Sequence, residues 1–392
     1  MQNKILFIVE NDYFPRDARV YNEASSLSNN GYKVFVLAPR NNDKKEKFYE
    51  TVEDRFYCFR HPHYESNSIK GLLFEYLIAS IFYFFFVPVL VIARRIKIIH
   101  VANPPDFILP SFFWLKLFGV KFIYDIHDLS TETFKSKINK ENIFAKIILI
   151  ILKVLERISI GLSDIVITTN NSIKEIIMSK FPNKKVITIR NSNKIQFREI
   201  SDINKNTNEN LVLGYFGVLN DDYSSGYHNI ALLGKILSDR NIKYKFEIIG
   251  EGSGLKKLKE LLKEYKIEKN FNFKGFIKLP IAFDYIKNFD FGILPWPNVP
   301  KNNIHTAMKV MDYMCCGVPV CSLNLKEQLI STRGIGIHKE TFEDIANEII
   351  IIYGNKDVYE ALREKTLKHF NENLCWELQQ KKIIECYFNL TK

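Results

Sequence analysis

The chain has 392 residues, of which 46% are hydrophobic and 25% charged, and its formal net charge is +11. This composition excludes an intrinsically disordered chain, and only 17 glycines and 13 prolines exclude a collagen-like one. The 6 cysteines include no pair at C-x-x-C spacing, which excludes a disulfide scaffold and the common zinc and thiol-redox motifs. The length predicts two or three domains.

The positive charge is concentrated in the first half of the chain. Residues 1–200 carry a net charge of +9, and residues 201–392 a net charge of +2. A basic half indicates an anionic partner, which is a nucleic acid, a phosphorylated substrate or anionic lipid; a general solubility bias is the alternative. No basic helix or aromatic RNA-binding motif accompanies the charge, so we expect no nucleic-acid partner.

The first 200 residues alternate predicted strands and helices. The apolar run at 4–9 is too short for the apolar region of a signal peptide and is predicted to be a buried strand, so we expect a cytoplasmic protein. The alternation that follows is typical of a parallel, doubly wound sheet covered on both faces. The further predicted strands are 33–38, 56–60, 96–101, 121–125, 165–169 and 185–190, and the predicted helices are 17–30, 70–94, 106–118, 143–162 and 172–180.

The predicted helix at 70–94 has an unusual composition. Its residues 76–93 form an 18-residue run without a charge, and Arg94, Arg95 and Lys97 follow. By length this run is a candidate membrane span, but a span would put neighbouring strands of one sheet on opposite sides of a bilayer. We therefore expect a helix packed on the sheet, with its aromatic residues in peripheral contact with the inner face of the cell membrane. A long core helix is the alternative.

A second α/β domain is predicted after the polar segment 201–210, which has the composition of a linker. Its strands are predicted at 211–216, 246–249, 271–273, 291–294 and 318–322, and its helices at 227–237, 254–265, 280–288 and 306–316. The predicted organisation is a domain at 1–200, the linker at 201–210, a domain at 211–354, and C-terminal helices at 355–392 that pack back on the first domain. The predicted fold class is α/β, with two facing Rossmann-like doubly wound domains and a cleft between them.

Residues that directly follow the strands are candidates for a site, because ligands of such sheets bind beyond the carboxyl ends of the strands. Gly250, Gly252 and Gly254 open a helix whose amides would favour an anion, although the spacing is not that of a dinucleotide-binding motif and a tight turn is the alternative. His127 follows the strand at 121–125 between two aspartates. It is predicted to hold a proton or to donate to a hydroxyl, with a purely structural role as the alternative.

Two charged pairs complete the candidates. Asp17 and Arg19 follow the first strand and are predicted either to bind a polar substrate or to cap a helix. In the predicted helix at 306–316, Lys309 lies near the start, where it would meet phosphate. Asp312 lies one turn further along and would accept sugar or ribose hydroxyls, and a surface ion pair between the two is the alternative.

Taken in order, these segments resemble the GT-B-fold glycosyltransferases, specifically the retaining group of bacterial capsule, O-antigen and lipid-linked sugar transferases. The resemblance covers about residues 4–370. The segments that carry it are 17–34, 103–106, 124–129, 163–170 and 189–191 in the first half, and 214–217, 250–252, 274–277, 290–295 and 309–320 in the second.

The resemblance implies transfer of a sugar from a nucleoside diphosphate sugar to an acceptor hydroxyl with retention, in the synthesis of a cell-surface polysaccharide or glycolipid. It implies the nucleotide sugar as co-substrate, no metal or other cofactor, and a glycan or lipid-linked acceptor. The implied catalytic residues are His127 and Asp312, and the implied acceptor-binding residues are Asp17 and Arg19. The implied donor-binding residues are Gly217, Asn220, Gly250, Glu251, Gly252, Phe276, Ile277, Thr306, Lys309 and Asp312.

The chain departs from the family pattern at positions that bind the donor. The family often has two glutamates eight positions apart, where this chain has Ile304 and Asp312, and Ser225 stands where a lysine is usual. Phosphate binding would then depend on helix amides, Lys309 and Asn220. These departures leave a degenerate member, which only binds a nucleotide or docks another subunit, as the alternative function. A nucleotide-sugar 2-epimerase is a weaker alternative, because its catalytic carboxylates and histidines are not apparent.

Overall fold

The computed structural model describes residues 3–41, 46–61, 69–135, 143–203 and 210–391. Internal contacts divide the chain into two units, one formed by Met1–Ile189 with Gln380–Lys392, the other by Arg190–Gln379. Each unit contains one open α/β sheet. Most of the predicted linker, residues 204–209, lies outside the described residues.

The first unit is built on an eight-stranded sheet. Its strands are β1 (Lys4–Ile8), β2 (Lys33–Pro39), β3 (Tyr49–Val52), β4 (Phe56–His61), β5 (Ile98–Asn103), β6 (Lys121–Ile126), β7 (Ile165–Thr168) and β8 (Val186–Thr188). Its helices are α1 (Ala18–Asn29), α2 (Ile69–Arg94), α3 (Ile108–Ser111), a 3-10 helix at Phe113–Phe118, α4 (Ser130–Lys135), α5 (Ile143–Leu162) and α6 (Asn171–Lys180).

The strand order of this sheet is β3-β4-β2-β1-β5-β6-β7-β8, and its pairings are parallel except that of β3 with β4. The connections through α2, α3, α5 and α6 all step in one direction along the sheet, and the connection through α1 steps in the other. Because crossovers between parallel strands are right-handed, α2, α3, α5 and α6 cover one face and α1 covers the opposite face. The direction of the steps changes between β1 and β5, which makes this the place where a ligand is expected.

The second unit is built on a six-stranded parallel sheet with the order β11-β10-β9-β12-β13-β14. Its strands are β9 (Leu211–Phe216), β10 (Tyr244–Ile249), β11 (Phe271–Gly275), β12 (Phe291–Leu294), β13 (Val320–Leu323) and β14 (Ile337–Lys339). Its helices are α7 (Tyr227–Asp239), α8 (Leu255–Glu264), α9 (Ala282–Ile286), α10 (Pro300–Ile304), α11 (Met308–Met314), α12 (Lys326–Thr332), α13 (Phe342–Tyr353), α14 (Lys356–His369) and the start of α15 (Trp376–Thr391). The direction of the steps changes between β9 and β12.

The division between the units differs from the predicted boundary at residue 200 and from the predicted packing of all of 355–392 on the first domain. The first unit ends at Ile189 and takes only the chain from Gln380 onward. Helix α14 belongs to the second unit, because Tyr359 donates to Oδ1 of Asp290 over 2.8 Å and Arg363 Nε donates to the carbonyl of Gly317 over 3.2 Å.

The predicted helix at 106–118 is divided in the structure into α3 and the 3-10 helix. The break falls at Phe112, whose φ of −132° lies outside the helical region. Two short strands, β3 and β14, are absent from the prediction. Both lie at sheet edges, where a strand needs no continuous apolar run.

Two glycine-containing loops of the second unit pack against each other through their backbones. The Gly217 N–H donates to the carbonyl of Ile249, and the Leu219 N–H donates to the carbonyl of Glu251, both over 2.9 Å. A Cβ added to Gly250 would lie 1.9 Å from the carbonyl oxygen of Gly217, and Gly250 has φ of +138°. The glycine is therefore required by the approach of the two loops.

Replacing Gly250 tests this packing. We expect Gly250→Ala to lower the free energy of unfolding by about 2–4 kcal/mol, because it adds a steric overlap with backbone to an unfavourable φ. Urea unfolding of the purified protein measures the change.

Gly334→Ala is the matched control, because Gly334 also has a positive φ but open space where its Cβ would lie. It should cost only about 1 kcal/mol. Equal costs for the two variants would show that the loops move apart easily and that the close approach is not a constraint.

Candidate functional site

His127 lies directly after β6, at the carboxyl edge of the first sheet. Its Nε2 lies 2.8 Å from Oδ2 of Asp125, and its backbone N–H donates to Oδ1 of Asn103 over 2.8 Å. The side chain is 15% exposed, so an edge of the imidazole is accessible. Among the described residues no hydrogen-bond partner is found for Nδ1. Asp125 thus fixes the imidazole ring through Nε2, and Nδ1 of the same ring can meet a ligand.

Asp17 and Arg19, the predicted acceptor-binding residues, have structural roles in the first unit. Arg19 donates from Nε and Nη2 to the Asp125 carboxylate over 2.8 and 2.7 Å, and from Nη1 to the Ile189 carbonyl over 2.8 Å. Its side chain is only 4% exposed. The Asp17 carboxylate caps α1 by accepting from the N–H groups of Arg19 and Val20. The prediction that Arg19 binds the acceptor is corrected, and Asp17 takes the alternative role, that of a helix cap.

The charges around Arg19 balance inside the unit. Burial by itself raises the pKa of Asp125, but the charge of Arg19 and hydrogen bonds from His100 and His127 outweigh burial and hold that pKa well below its ordinary value. Burial raises the pKa of Glu23 well above its ordinary value, against the charge of Arg19. Burial also lowers the pKa of His100. Arg19 and Asp125 therefore face each other as a buried ion pair, and burial favours the neutral forms of Glu23 and His100 beside it.

The same cluster contains the one group of potential metal ligands in the part of the chain that the structure describes. The ligand atoms of Glu23, His100 and Asp125 all lie within 4.8 Å of one another, and the three residues are buried. The Arg19 guanidinium already contacts two of them, at 2.7 Å from Asp125 and 3.2 Å from Glu23. The cation of this cluster is therefore Arg19, and these residues do not fit a metal ion as well.

Lys309, on α11, lies near β9, where the strand order of the second sheet changes direction. Its Nζ donates to the Tyr215 hydroxyl over 2.8 Å and lies 4.3 Å from the Tyr215 ring and 5.8 Å from the Trp296 ring. A Cβ on Gly217 would lie 3.2 Å from this ammonium, so the glycine makes room for it. Burial lowers the pKa of Lys309 to about 8, although the nearby Asp312 acts in the opposite direction. Among the described residues, Lys309 forms no salt bridge.

Asp312, predicted to bind hydroxyls, is buried one turn further along α11. Its Oδ1 accepts from Nδ2 of Asn193 over 2.7 Å. Burial raises the pKa of Asp312 to about 7, although Asn193 and Lys309 act in the opposite direction. Burial therefore favours the neutral form of Asp312 and weakens the negative charge near Lys309.

The remaining predicted donor-binding residues fall into two groups. Gly217, Gly250 and Gly252 lie together in the packed loops, beside Lys309. The exposed positions are Asn220, Glu251 and Phe276, with Ile277 partly exposed after β11. Thr306 precedes α11, and its hydroxyl lies 3.5 Å from Oε1 of the buried Glu327.

Several residues that shape these sites were not predicted from the sequence. Tyr215 and Trp296 face the Lys309 ammonium, Asn193 binds Asp312, and Asn103 holds the backbone of His127. Three of them lie at or just beyond the end of a strand, which is the signal that identified His127. Asn193 has no such signal, because it lies in an irregular segment and meets Asp312 only through folding.

Two open doubly wound α/β sheets, one in each unit, are the architecture of the GT-B fold. Two family models match the chain over most of its length. Glycosyltransferase family 4 matches residues 18–192, and glycosyl transferases group 1 matches residues 196–369. The chain therefore belongs to the GT-B glycosyltransferases, as the resemblance predicted.

Solved structures have the same fold at low sequence identity. Sucrose-phosphate synthase from Thermosynechococcus elongatus aligns with a TM-score of 0.74 and 13% identity, over 100% of this chain and 99% of that one. HepE from Anabaena, in complex with UDP, aligns with a TM-score of 0.68 and 14% identity, over 98% of this chain and 100% of that one. WaaG, a glycosyltransferase involved in lipopolysaccharide biosynthesis, aligns with a TM-score of 0.64 and 12% identity, over 97% of this chain and 98% of that one. No curated protein sequence matches the chain.

The Arg19 ion pair yields a stability prediction. We expect Arg19→Met to lower the free energy of unfolding by about 3–5 kcal/mol, because the buried Asp125 carboxylate loses its counter-charge. The control Arg16→Met removes an exposed arginine that lies 3.5 Å from Asp12. That variant should change stability by less than about 0.5 kcal/mol in urea unfolding. A similarly small effect for Arg19→Met would contradict the assigned role.

Asp312 yields a pH prediction. A carboxyl whose pKa is raised by folding stabilises the protein fully below its unfolded pKa, and this contribution is lost as the pH rises through the folded pKa of about 7. We therefore expect Asp312→Asn to gain stability relative to the parent protein between pH 4 and 7, by up to about 4 kcal/mol. Urea unfolding across this range measures the difference.

Asp284→Asn, which removes an exposed carboxylate from the same unit, is the control. Its free energy of unfolding should stay within about 0.5 kcal/mol of that of the parent protein over the same pH range. If the Asp312→Asn curve runs parallel to that of the parent protein, Asp312 does not have a raised pKa.

Proposed function

We propose that this glycosyltransferase transfers a sugar from a nucleoside diphosphate sugar to an acceptor hydroxyl, with retention at the anomeric carbon. The observation that carries the proposal is the Lys309 ammonium, which lies between the Tyr215 and Trp296 rings without a carboxylate in salt-bridge contact among the described residues. A diphosphate supplies the negative charge that this cation lacks.

The donor binds to the second unit, where the order of its strands changes direction. Lys309 contacts the diphosphate, and backbone N–H groups of the chain before α11 add further donors. These groups are held in place before the reaction, so they stabilise the negative charge that develops on the leaving nucleoside diphosphate. This arrangement needs no metal ion, and the enzyme is expected to act in the presence of a chelator.

His127 contacts the transferred sugar in the reacting complex. Its ring is held by Asp125 and its backbone by Asn103, so Nδ1 is oriented to form a hydrogen bond with a sugar hydroxyl before the sugar binds. Asp125 in turn is fixed by Arg19. The imidazole therefore orients the sugar and does not act as the nucleophile.

Uridine diphosphate sugars are the first donor class to test, and cell-surface glycans or glycolipids the first acceptor class. HepE, which has the same fold, is seen with UDP and with UDP-glucose. WaaG acts in lipopolysaccharide biosynthesis. Both support the proposal by similarity of fold at low identity.

Nucleotide binding separates the roles of Lys309 and His127. Thermal unfolding is followed with UDP, GDP, dTDP, ADP and CMP, and a nucleotide at about 100 times its Kd should stabilise the protein by about 2.7 kcal/mol. We expect Lys309→Met to weaken binding of the preferred nucleotide about tenfold or more, because it removes a charge-assisted contact. We expect His127→Ala to bind that nucleotide normally but to lose about 100-fold or more of its transfer activity.

Lys356→Met is the control for charge removal, because Lys356 is exposed on α14 of the same unit. It should bind the nucleotide like the parent protein. Unchanged binding by Lys309→Met would contradict the proposed donor site. A protein that binds a nucleotide but transfers no sugar from its donor to any acceptor would instead be the degenerate member that the departures at Ile304 and Asp312 leave open.

A further inference from the structure

A broad apolar surface of the first unit lies outside the proposed site. It is formed by the outward sides of α2, the 3-10 helix Phe113–Phe118 and α5, and is called the apolar face below. Its most exposed side chains include Leu117 at 86%, Phe118 at 74%, Ile92 at 70%, Phe85 at 67% and Ile150 at 60%. Exposed apolar surface on this scale marks an interaction site.

Helix α2 is apolar on all sides but is covered on only one. Tyr83, Val87 and Val91, which are one turn apart, are buried against the sheet. Phe85 and Ile92 point away from it and are exposed. A helix on a water-facing surface normally has a polar outer side, so this one is built for a less polar surrounding.

Helix α5 repeats the same arrangement. Ile147, Ile150, Val154 and Ile158 recur at helical spacing and are all exposed, whereas Ile160 is buried. The exposed residues thus form a continuous stripe opposite the side that packs on the sheet. Two neighbouring helices of one unit therefore share this unusual outer side.

The three elements lie on one face of the sheet. Helix α3, which leads into the 3-10 helix, packs against both α2 and α5. Right-handed crossovers place all of them on the same side of the sheet, opposite α1. Their exposed apolar side chains are consequently parts of one surface.

Basic side chains border the apolar face. Lys146, Lys153 and Arg157 are exposed along one flank of the α5 stripe, and Arg94 and Arg95 are exposed where α2 ends. The acidic residue of α5, Glu156, is buried and lies 3.5 Å from Lys180. The border of the face is therefore positively charged.

We propose that the apolar face binds the surface of a membrane that contains anionic phospholipid. Its apolar side chains enter the boundary between headgroups and acyl chains, and the lysines and arginines at its border bind lipid phosphates. The proposal concerns a surface distinct from the donor site and does not depend on the proposed function.

The structure argues against two alternatives for this face, a membrane-spanning helix and a contact with a second copy of the chain. Among the described residues, one helix, at Leu77–Arg94, is long and apolar enough to span a membrane, but 33% of that segment is buried and α2 connects β4 to β5 within a single sheet. A span would pull these strands to opposite sides of the bilayer. A symmetric contact with a second copy would bring the two basic borders together, which like charges oppose.

Flotation of the full chain with lipid vesicles tests the proposal. We expect the protein to float with phosphatidylcholine vesicles that contain phosphatidylglycerol, and to float much less with phosphatidylcholine alone. The triple variant Phe85→Glu, Leu117→Glu, Ile150→Glu should lose about tenfold or more of its binding, because it places charges in the apolar contact. The variant Lys146→Gln, Lys153→Gln, Arg157→Gln should lose the preference for phosphatidylglycerol.

Ile351→Glu is the matched control, because Ile351 is an equally exposed isoleucine, at 67%, on α13 of the second unit. It should float like the parent protein. All variants should keep the thermal stabilisation by nucleotide, so a failure of membrane binding is distinguishable from a failure of the donor site.

Three results would overturn the proposal. One is a protein that stays unbound with both kinds of vesicle, and another is a triple glutamate variant that floats like the parent. The third is a lipid-free dimer, seen by analytical ultracentrifugation, that the triple variant abolishes, because the occupant of the face would then be a second copy of the chain.

Discussion

The need to compensate a charge removed from water shapes both units of this glycosyltransferase. In the first unit, the Arg19 guanidinium meets the Asp125 carboxylate through two hydrogen bonds, and the charges cancel internally. In the second, the Lys309 ammonium meets a hydroxyl and two aromatic rings, and its nearest acid, Asp312, has a raised pKa. The first arrangement is complete without a ligand. The second favours an anion, and this contrast is the reason why we propose that Lys309 binds the donor whereas Arg19 is structural.

The same internal pair connects stability to the proposed chemistry. Asp125 accepts from Arg19 on one side and lies 2.8 Å from Nε2 of His127 on the other. The residue that keeps the interior neutral thus also orients the imidazole that we propose contacts the sugar. A single carboxylate therefore has two roles, and neither is apparent from its position in the chain.

The right-handed crossover rule explains why the apolar surface is concentrated in one place. Helices α2, α3 and α5 each connect a strand to a later strand that lies in the same direction along the sheet. They therefore lie side by side on one of its faces. The exposed stripes of α2 and α5 become one surface only through this arrangement. Local sequence identified the apolar character of α2 but did not identify α5, whose length and charges are those of an ordinary amphipathic helix.

The order of strands and helices followed from apolar periodicity because buried parallel strands and their covering helices have distinct spacings. His127 and the loops containing Gly217 and Gly250 followed from the rule that ligands meet strand ends. The edge strands β3 and β14 could not be predicted from apolar periodicity, because a strand with one open side carries little apolar signal. The sequence by itself determined the family, the alternating fold and the position of His127. Only the tertiary structure decided that Arg19 is internal, that Tyr215 meets Lys309, and that Asn193 meets Asp312, because these contacts join residues 94 to 119 positions apart.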